Sequence, residues 1–204
     1  MTGIESLVLE VEDTTAAEAF YKEAFDLGDV VTVRQSSAPT SGFRGLTVSL
    51  VVSQPGTVDA LVRSALDAGA TALKPVTKSL WGYAGVVRAP DGTIWKVATS
   101  AKKDTGPATR EVDEVVLLLG VEDVKATKQF YADKGMPVGK SFGGKYAEFD
   151  TPGAAVKLAL YPRKAAAKDA GVDPAGSGSH RVAVTGDAGA FTDPDGFVWE
   201  TRRR

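Results

Sequence analysis

The sequence predicts an α+β protein built as two tandem units, and three observations carry that prediction. The stretch VEDTTAAEAFY at 11–21 returns as VEDVKATKQFY at 121–131, with Val, Glu, Asp, Ala, Phe and Tyr at matching positions. The stretch PDGTIWK at 90–96 returns as PDGFVWE at 194–200. In each half, segments of period two alternate with segments of helical period, the marks of half-buried strands and amphipathic helices. The two offsets, 110 and 104 residues, nearly agree and indicate a repeated unit of about 100 residues. The expected units are 1–100 and 111–204, joined by a polar linker at 101–110 that holds Gly106-Pro107.

The elements follow in order. Residues 4–11 alternate, with Leu7, Leu9 and Val11 on one face and Ser6, Val8 and Glu10 on the other. Asp13 or Thr14 offers an oxygen to the free N–H groups of a helix that follows. Ala17, Phe20, Tyr21 and Ala24 recur at helical spacing and lay that helix on the apolar face of the strand. A strand at 30–34, a loop at 35–42 and a β-branched strand at 46–53 come next. A second amphipathic helix at 58–68 is stopped by Gly69. Three short strands end the unit, around 72–76, 83–88 and 93–99, the last two joined at Pro90-Asp91-Gly92, where Pro presets φ for a type I turn. The second unit repeats the opening with a strand at 114–121 and a helix at 124–134. Strands at 138–142, 146–149 and 156–161 follow, then a short Ala-rich helix at 163–169, a loop at 171–179 and a strand at 180–184. Between Val184 and Asp193 there is no room for a counterpart of the 58–68 helix.

Composition narrows the function classes. The 24 basic and 26 acidic residues leave a net charge of -2, which gives no nucleic-acid footprint. No apolar run is long enough for a membrane span, and Glu5 and Glu10 interrupt the N-terminus where a signal peptide would be apolar. The chain has no cysteine, which excludes disulfides, thiolate metal sites and cysteine nucleophiles. A cytoplasmic protein with no nucleic-acid or membrane partner is expected, as a monomer or a homodimer.

A unit that opens on a strand ending in Val-Glu-Asp, continues into a helix with Phe-Tyr and closes on Pro-Asp-Gly-x-x-Trp resembles the vicinal oxygen chelate superfamily. This is the group of glyoxalase I, extradiol dioxygenases and bleomycin-binding resistance proteins. The resemblance covers essentially the whole chain. It implies two tandem glyoxalase-like domains of βαβββ modules, with curved mixed sheets forming cups and helices outside. It also implies metal-ligand positions at the start of a first strand and late in a closing strand. Those positions fall here on Ser6 and Val116, and on Lys96 and Glu200. Only Glu200 suits a divalent metal, because a borderline metal wants three or four N, O or S donors in one place. His180 is the single histidine. No cofactor is therefore expected, a divalent metal being the alternative. Trp95 and Trp199 alternate onto the helix side and are read as core.

Three functions stay open on these residues. In the first, the cups bind a small, partly aromatic organic molecule, as drug-sequestering resistance relatives do. Trp81, Tyr83 and Phe43 would then form an aromatic lip, and Arg44, Lys96, Ser6 and Glu10 would supply polar contacts. Lys96 pairs either with Glu10 across its own cup or with an anionic ligand, and Arg44 either with an acid such as Glu10 or with a ligand carboxylate. In the second, Glu200 and His180 act as catalytic groups of a glyoxalase-like lyase, isomerase or dioxygenase. In the third, side chains fill the cups and the protein serves assembly. For the second cup, Phe142, Tyr146 and Tyr161 are the aromatic candidates.

Overall fold

The computed structural model describes residues 3–80 and 82–201; Met1, Thr2, Trp81 and 202–204 lie outside the described residues. Strand β1 (Ile4–Val11) leads into helix α1 (Thr14–Ala24), then β2 (Val31–Gln35), β3 (Thr40–Gly42) and β4 (Leu46–Val51). Helix α2 (Pro55–Asp67) precedes β5 (Thr71–Ser79), β6 (Gly82–Arg88) and β7 (Ile94–Thr99). The second half holds β8 (Glu114–Val121), α3 (Val124–Asp133), β9 (Val138–Ser141), β10 (Ala147–Phe149) and β11 (Val156–Pro162). It closes with α4 (Arg163–Ala170), β12 (Gly176–Gly178), β13 (Val182–Gly186), β14 (Phe191–Thr192) and β15 (Val198–Thr201).

Thirteen strands form one sheet with the central order β14-β15-β13-β1-β11-β8-β4-β7-β6-β5; β2 lies on β1, and β10 and β9 extend from β11. Strands of the two halves are interleaved. β1 pairs with β13 from the far end of the chain, and β4 pairs with β8. Where the sequence reads as loops at 35–42 and 171–179, the short strands β3 and β12 pair with each other.

One core lies on the face covered by α1, α2 and α3, where Leu7, Leu9, Leu50, Trp95, Leu117 and Trp199 are buried. The repeated motif is explained by this packing. Asp13 and Asp123 cap α1 and α3 by accepting from Ala16 N and Ala126 N. In the second half of each helix, Tyr21 donates to Asp91 at 2.7 Å and Tyr131 donates to Asp193 at 2.6 Å. Each tyrosine also lies against the tryptophan of the same hairpin, with ring centroids 5.4 Å (Trp95) and 5.5 Å (Trp199) apart. The matching Val-Glu-Asp, Phe-Tyr and Pro-Asp-Gly-x-x-Trp residues thus form a helix cap, a helix-to-turn hydrogen bond and the packing beneath it. Helix α2 begins three residues before the apolar periodicity because Pro55 takes its first turn, where a missing N–H has no consequence. Gln54, buried ahead of it, holds the linker: its amide donates to Gly106 O and Pro107 O and its oxygen accepts from Thr105 N.

Helix α4 is the exception to the layering. It packs on the opposite face of the sheet, in a small cluster where Ala166, Ala167 and Ala170 meet Phe43, Val86 and Ile94. Gly120 allows the approach, since a Cβ there would sit 2.9 Å from the Ala166 Cβ. Gly171 ends the helix in the left-handed conformation at φ 78°.

Candidate functional site

The strand registers place the four chelate positions in two rows on the face away from α1–α3. In one row, Lys96 of β7 lies beside Ser49 of β4, Ser49 beside Val116 of β8, and Val116 beside Lys157 of β11. In the other, Ser6 of β1 lies beside Thr185 of β13, and Thr185 beside Glu200 of β15. Each row therefore holds one opening-strand and one closing-strand position, taken from different halves of the chain.

The second row is closed electrostatically from within. Arg34 of β2 donates through Nη1 to both Glu200 oxygens, at 2.9 and 3.1 Å, and through Nη2 to Glu10 at 2.7 Å. The hydrogen bond to Glu10 leads in raising the Arg34 pKa above its usual value, with Glu200 adding to it. The Ser6 and Thr185 hydroxyls lie 2.5 Å apart and satisfy one another. Glu200 and Glu10 are thus held as a carboxylate pair around one guanidinium.

The first row lies in the cup shared by β4–β7 and β8–β11. Lys96 donates to both oxygens of Asp169 on α4, at 2.9 and 2.7 Å, so its partner is Asp169 and not Glu10. Lys157 pairs with Glu114, which raises the lysine pKa. Helix α4 fills one end of this cup. Aromatic side chains lie alongside: Phe142, itself exposed, stacks near Tyr146 with centroids 6.1 Å apart, and Tyr146 lies 5.2 Å from Tyr161. Tyr146 donates to Glu148 at 2.6 Å. Burial is the main cause raising the pKa of both phenols, which keeps them neutral donors.

The other sequence candidates are placed elsewhere. His180 lies before β13, its ring stacked on Phe197 with centroids 3.9 Å apart. Its Nδ1 is 2.6 Å from Arg44 O and its Nε2 3.0 Å from Asp195 O, and no contact joins it to Glu200 among the described residues. Tyr83 points to the helix side and donates to Asp59 of α2, so it does not overhang the cup. Phe43 is buried beneath α4 with Arg163 over its ring. Trp81 lies outside the described residues. Arg44 donates to the Asp91 carbonyl rather than to Glu10. The sequence reading missed Arg34, Ser49, Lys157, Thr185 and Asp169. Alternation puts Ser49 and Lys157 on the cup face, but no local signal names Arg34 or Asp169 as partners 166 and 73 residues away from Glu200 and Lys96.

No protein-family description and no curated protein sequence matches the chain. Solved structures do. Glyoxalase I from Zea mays matches with a TM-score of 0.62 at 14% identity, over 98% of this chain and 92% of that one. The chain has the glyoxalase I fold. A putative dioxygenase from Bacillus subtilis subsp. subtilis str. 168 matches with a TM-score of 0.56 at 12% identity, over 95% of this chain and 71% of that one.

On this fold the donor sets do not suit a divalent metal. One row offers two ammonium groups, a hydroxyl and a valine; the other offers a carboxylate bound to arginine and two hydroxyls bonded to each other. Among the described residues no cluster of three or more His, Asp or Glu comes together. A metal at either row would have to displace a cation from its carboxylate, and neither row holds the three or four strong N or carboxylate donors it needs.

Proposed function

We propose that this glyoxalase-fold protein is a metal-independent binding protein. It holds a small, partly aromatic organic molecule in the cup bounded by Lys96, Ser49, Val116, Lys157 and the tyrosines Tyr146 and Tyr161. Sequestration of that molecule, as in a resistance protein, is the role that fits. The observation carrying this reading is the row Lys96–Ser49–Val116–Lys157, which puts cations and apolar surface where a chelating enzyme needs donors. The neighbouring Phe142, Tyr146 and Tyr161 supply faces on which a planar ligand stacks. Lys96 and Lys157 flank the floor, each held by a carboxylate, Asp169 and Glu114, so that a polar substituent meets an ion pair on either side.

The test uses the fluorescent aromatic anion 8-anilinonaphthalene-1-sulfonate. Saturable binding is expected, unchanged by EDTA or added nickel, and weakened about fivefold in Tyr161→Ala, the worth of one aromatic contact. Glyoxalase turnover that appears on adding nickel or zinc and is lost in Glu200→Gln would replace this reading with the enzymatic one.

A further inference from the structure

Outside both rows, a cleft of about 760 Å³ runs between α1, the Pro90-Asp91 turn and the segment leading into β3. Its walls include Val11, Ala16, Phe20, Pro39, Ala68 and Pro90, and Arg44 and Arg181 also line it. We propose that Arg44 and Arg181 form a binding site for an amphiphilic organic anion, with its acid head between the two guanidiniums and its apolar body along α1.

The first argument is charge. The Arg181 side chain is 5% exposed, and its one carboxylate partner is Glu12, at 3.3 Å and itself 81% exposed. Arg44 donates to a backbone carbonyl and has no carboxylate partner among the described residues. Arg44 Nη1 and Arg181 Nε are buried without an acceptor. Leaving guanidinium N–H groups buried without an acceptor is costly, and an acid head that the two side chains turn to meet relieves that cost. The Arg44 pKa is lowered, first by burial; the Asp91 carboxylate opposes this, and the nearby Arg181 and Arg88 add to the lowering. The cleft also holds three other carboxylates, which keep their charge: Asp13, which caps α1; Asp91, which accepts from Tyr21 OH and Thr93 N; and Glu23.

The second argument is the backbone. Arg181 adopts φ 54°, in the left-handed region that L-residues avoid. The equivalent position in the first half, in GFRGLTV against GSHRVAV, is Gly45, at φ 80°. The two carbonyls do the same work: Arg181 O accepts from Glu10 N, and Gly45 O accepts from Gly120 N. Glycine meets the backbone requirement without strain, so the fold does not call for an arginine there. The side chain accounts for the choice, and its guanidinium ends at the cleft. A volume of this size suits a small ligand with one acidic group.

The test compares octanoate, octyl phosphate and octyltrimethylammonium by thermal shift and calorimetry on the full chain. At least one of the anions is expected to bind saturably, and the cation not to bind. Arg181→Gly keeps the backbone that Gly45 demonstrates, so it is expected to fold normally and to lose about tenfold or more in anion affinity, the worth of one charged hydrogen bond. Glu12→Gln frees Arg181 from an exposed competitor and is expected to tighten binding about two- to fivefold. Tyr161→Ala, in the cup, is expected to leave the octyl anions unaffected, which separates this site from the one proposed above. The inference is overturned if neither anion binds, if the cation binds equally well, or if Arg181→Gly binds as tightly as the unmodified protein.

Discussion

Arg34 holds Glu10 and Glu200 on two sides of one guanidinium, and this single residue decides what the second row can do. With Arg34 in place, both carboxylates have their charge balanced and their lone pairs directed at N–H donors. Replacing it with methionine keeps an unbranched, flexible side chain and removes the charge. The two carboxylates then face each other beside the Ser6 and Thr185 hydroxyls. The expected loss of stability is modest, about 0.5–1 kcal/mol, because all three groups are partly solvated. Arg34→Met should also gain a response to cations: millimolar manganese or nickel is expected to raise its melting temperature and leave that of the unmodified protein unchanged. Equal behaviour of the two proteins across a metal titration would contradict the account of Arg34 as the internal counter-ion.

At the scale of elements, the seating of α4 on the cup face depends on small residues at both surfaces. Ala166 approaches Gly120, where an added Cβ would also lie 3.2 Å from the Arg163 backbone. Gly120→Val is expected to destabilise the fold by about 2 kcal/mol, since neither the strand nor the helix backbone can yield without strain. Hydrogen exchange should rise across 163–170 and stay unchanged across 14–24, on the far face of the sheet. Uniform loss of protection in both helices would show that α4 is not a separable layer. This element also marks how far the sequence could be read. The 3.6 and 2.0 periodicities disclosed nearly every helix and strand, because large apolar residues mark a buried face clearly. They also disclosed Trp95 and Trp199 as core. The Ala-rich helix was legible as a helix, yet three alanines make no stripe from which its packing face could be told. Alternation says which face a strand residue occupies and nothing about which strand lies beside it. The rows therefore became visible only once β4 was seen against β8 and β1 against β13. For the same reason Lys96 was legible as a cation needing a partner, while Asp169 as that partner was not.

Across the whole molecule, the two tyrosine–aspartate links tie helices to turns and make stability depend on alkaline pH. Burial first, and then the neighbouring Asp91 and Asp193, hold the Tyr21 and Tyr131 pKa values well above 10.0. An unfolded tyrosine loses its proton near pH 10. Above that pH the unfolded chain binds fewer protons than the folded one, so unfolding becomes more favourable as pH rises. The contribution of each tyrosine is fully present below about pH 10 and is lost as pH climbs toward the folded value. The slope rises from half of about 1.4 kcal/mol per pH unit at pH 10 toward that value for each tyrosine, so the pair should cost roughly 2 kcal/mol between pH 10 and 11. Urea denaturation of the unmodified protein across that range should show this fall. The Tyr21→Phe, Tyr131→Phe double variant should start about 2 kcal/mol less stable at pH 8, having lost two hydrogen bonds. Its alkaline slope should be shallower, with only the remaining tyrosines contributing. A double variant that falls as steeply as the unmodified protein would mean that alkaline unfolding is driven from elsewhere, and that the repeated Phe-Tyr and Pro-Asp-Gly motifs do not couple the helices to their hairpins.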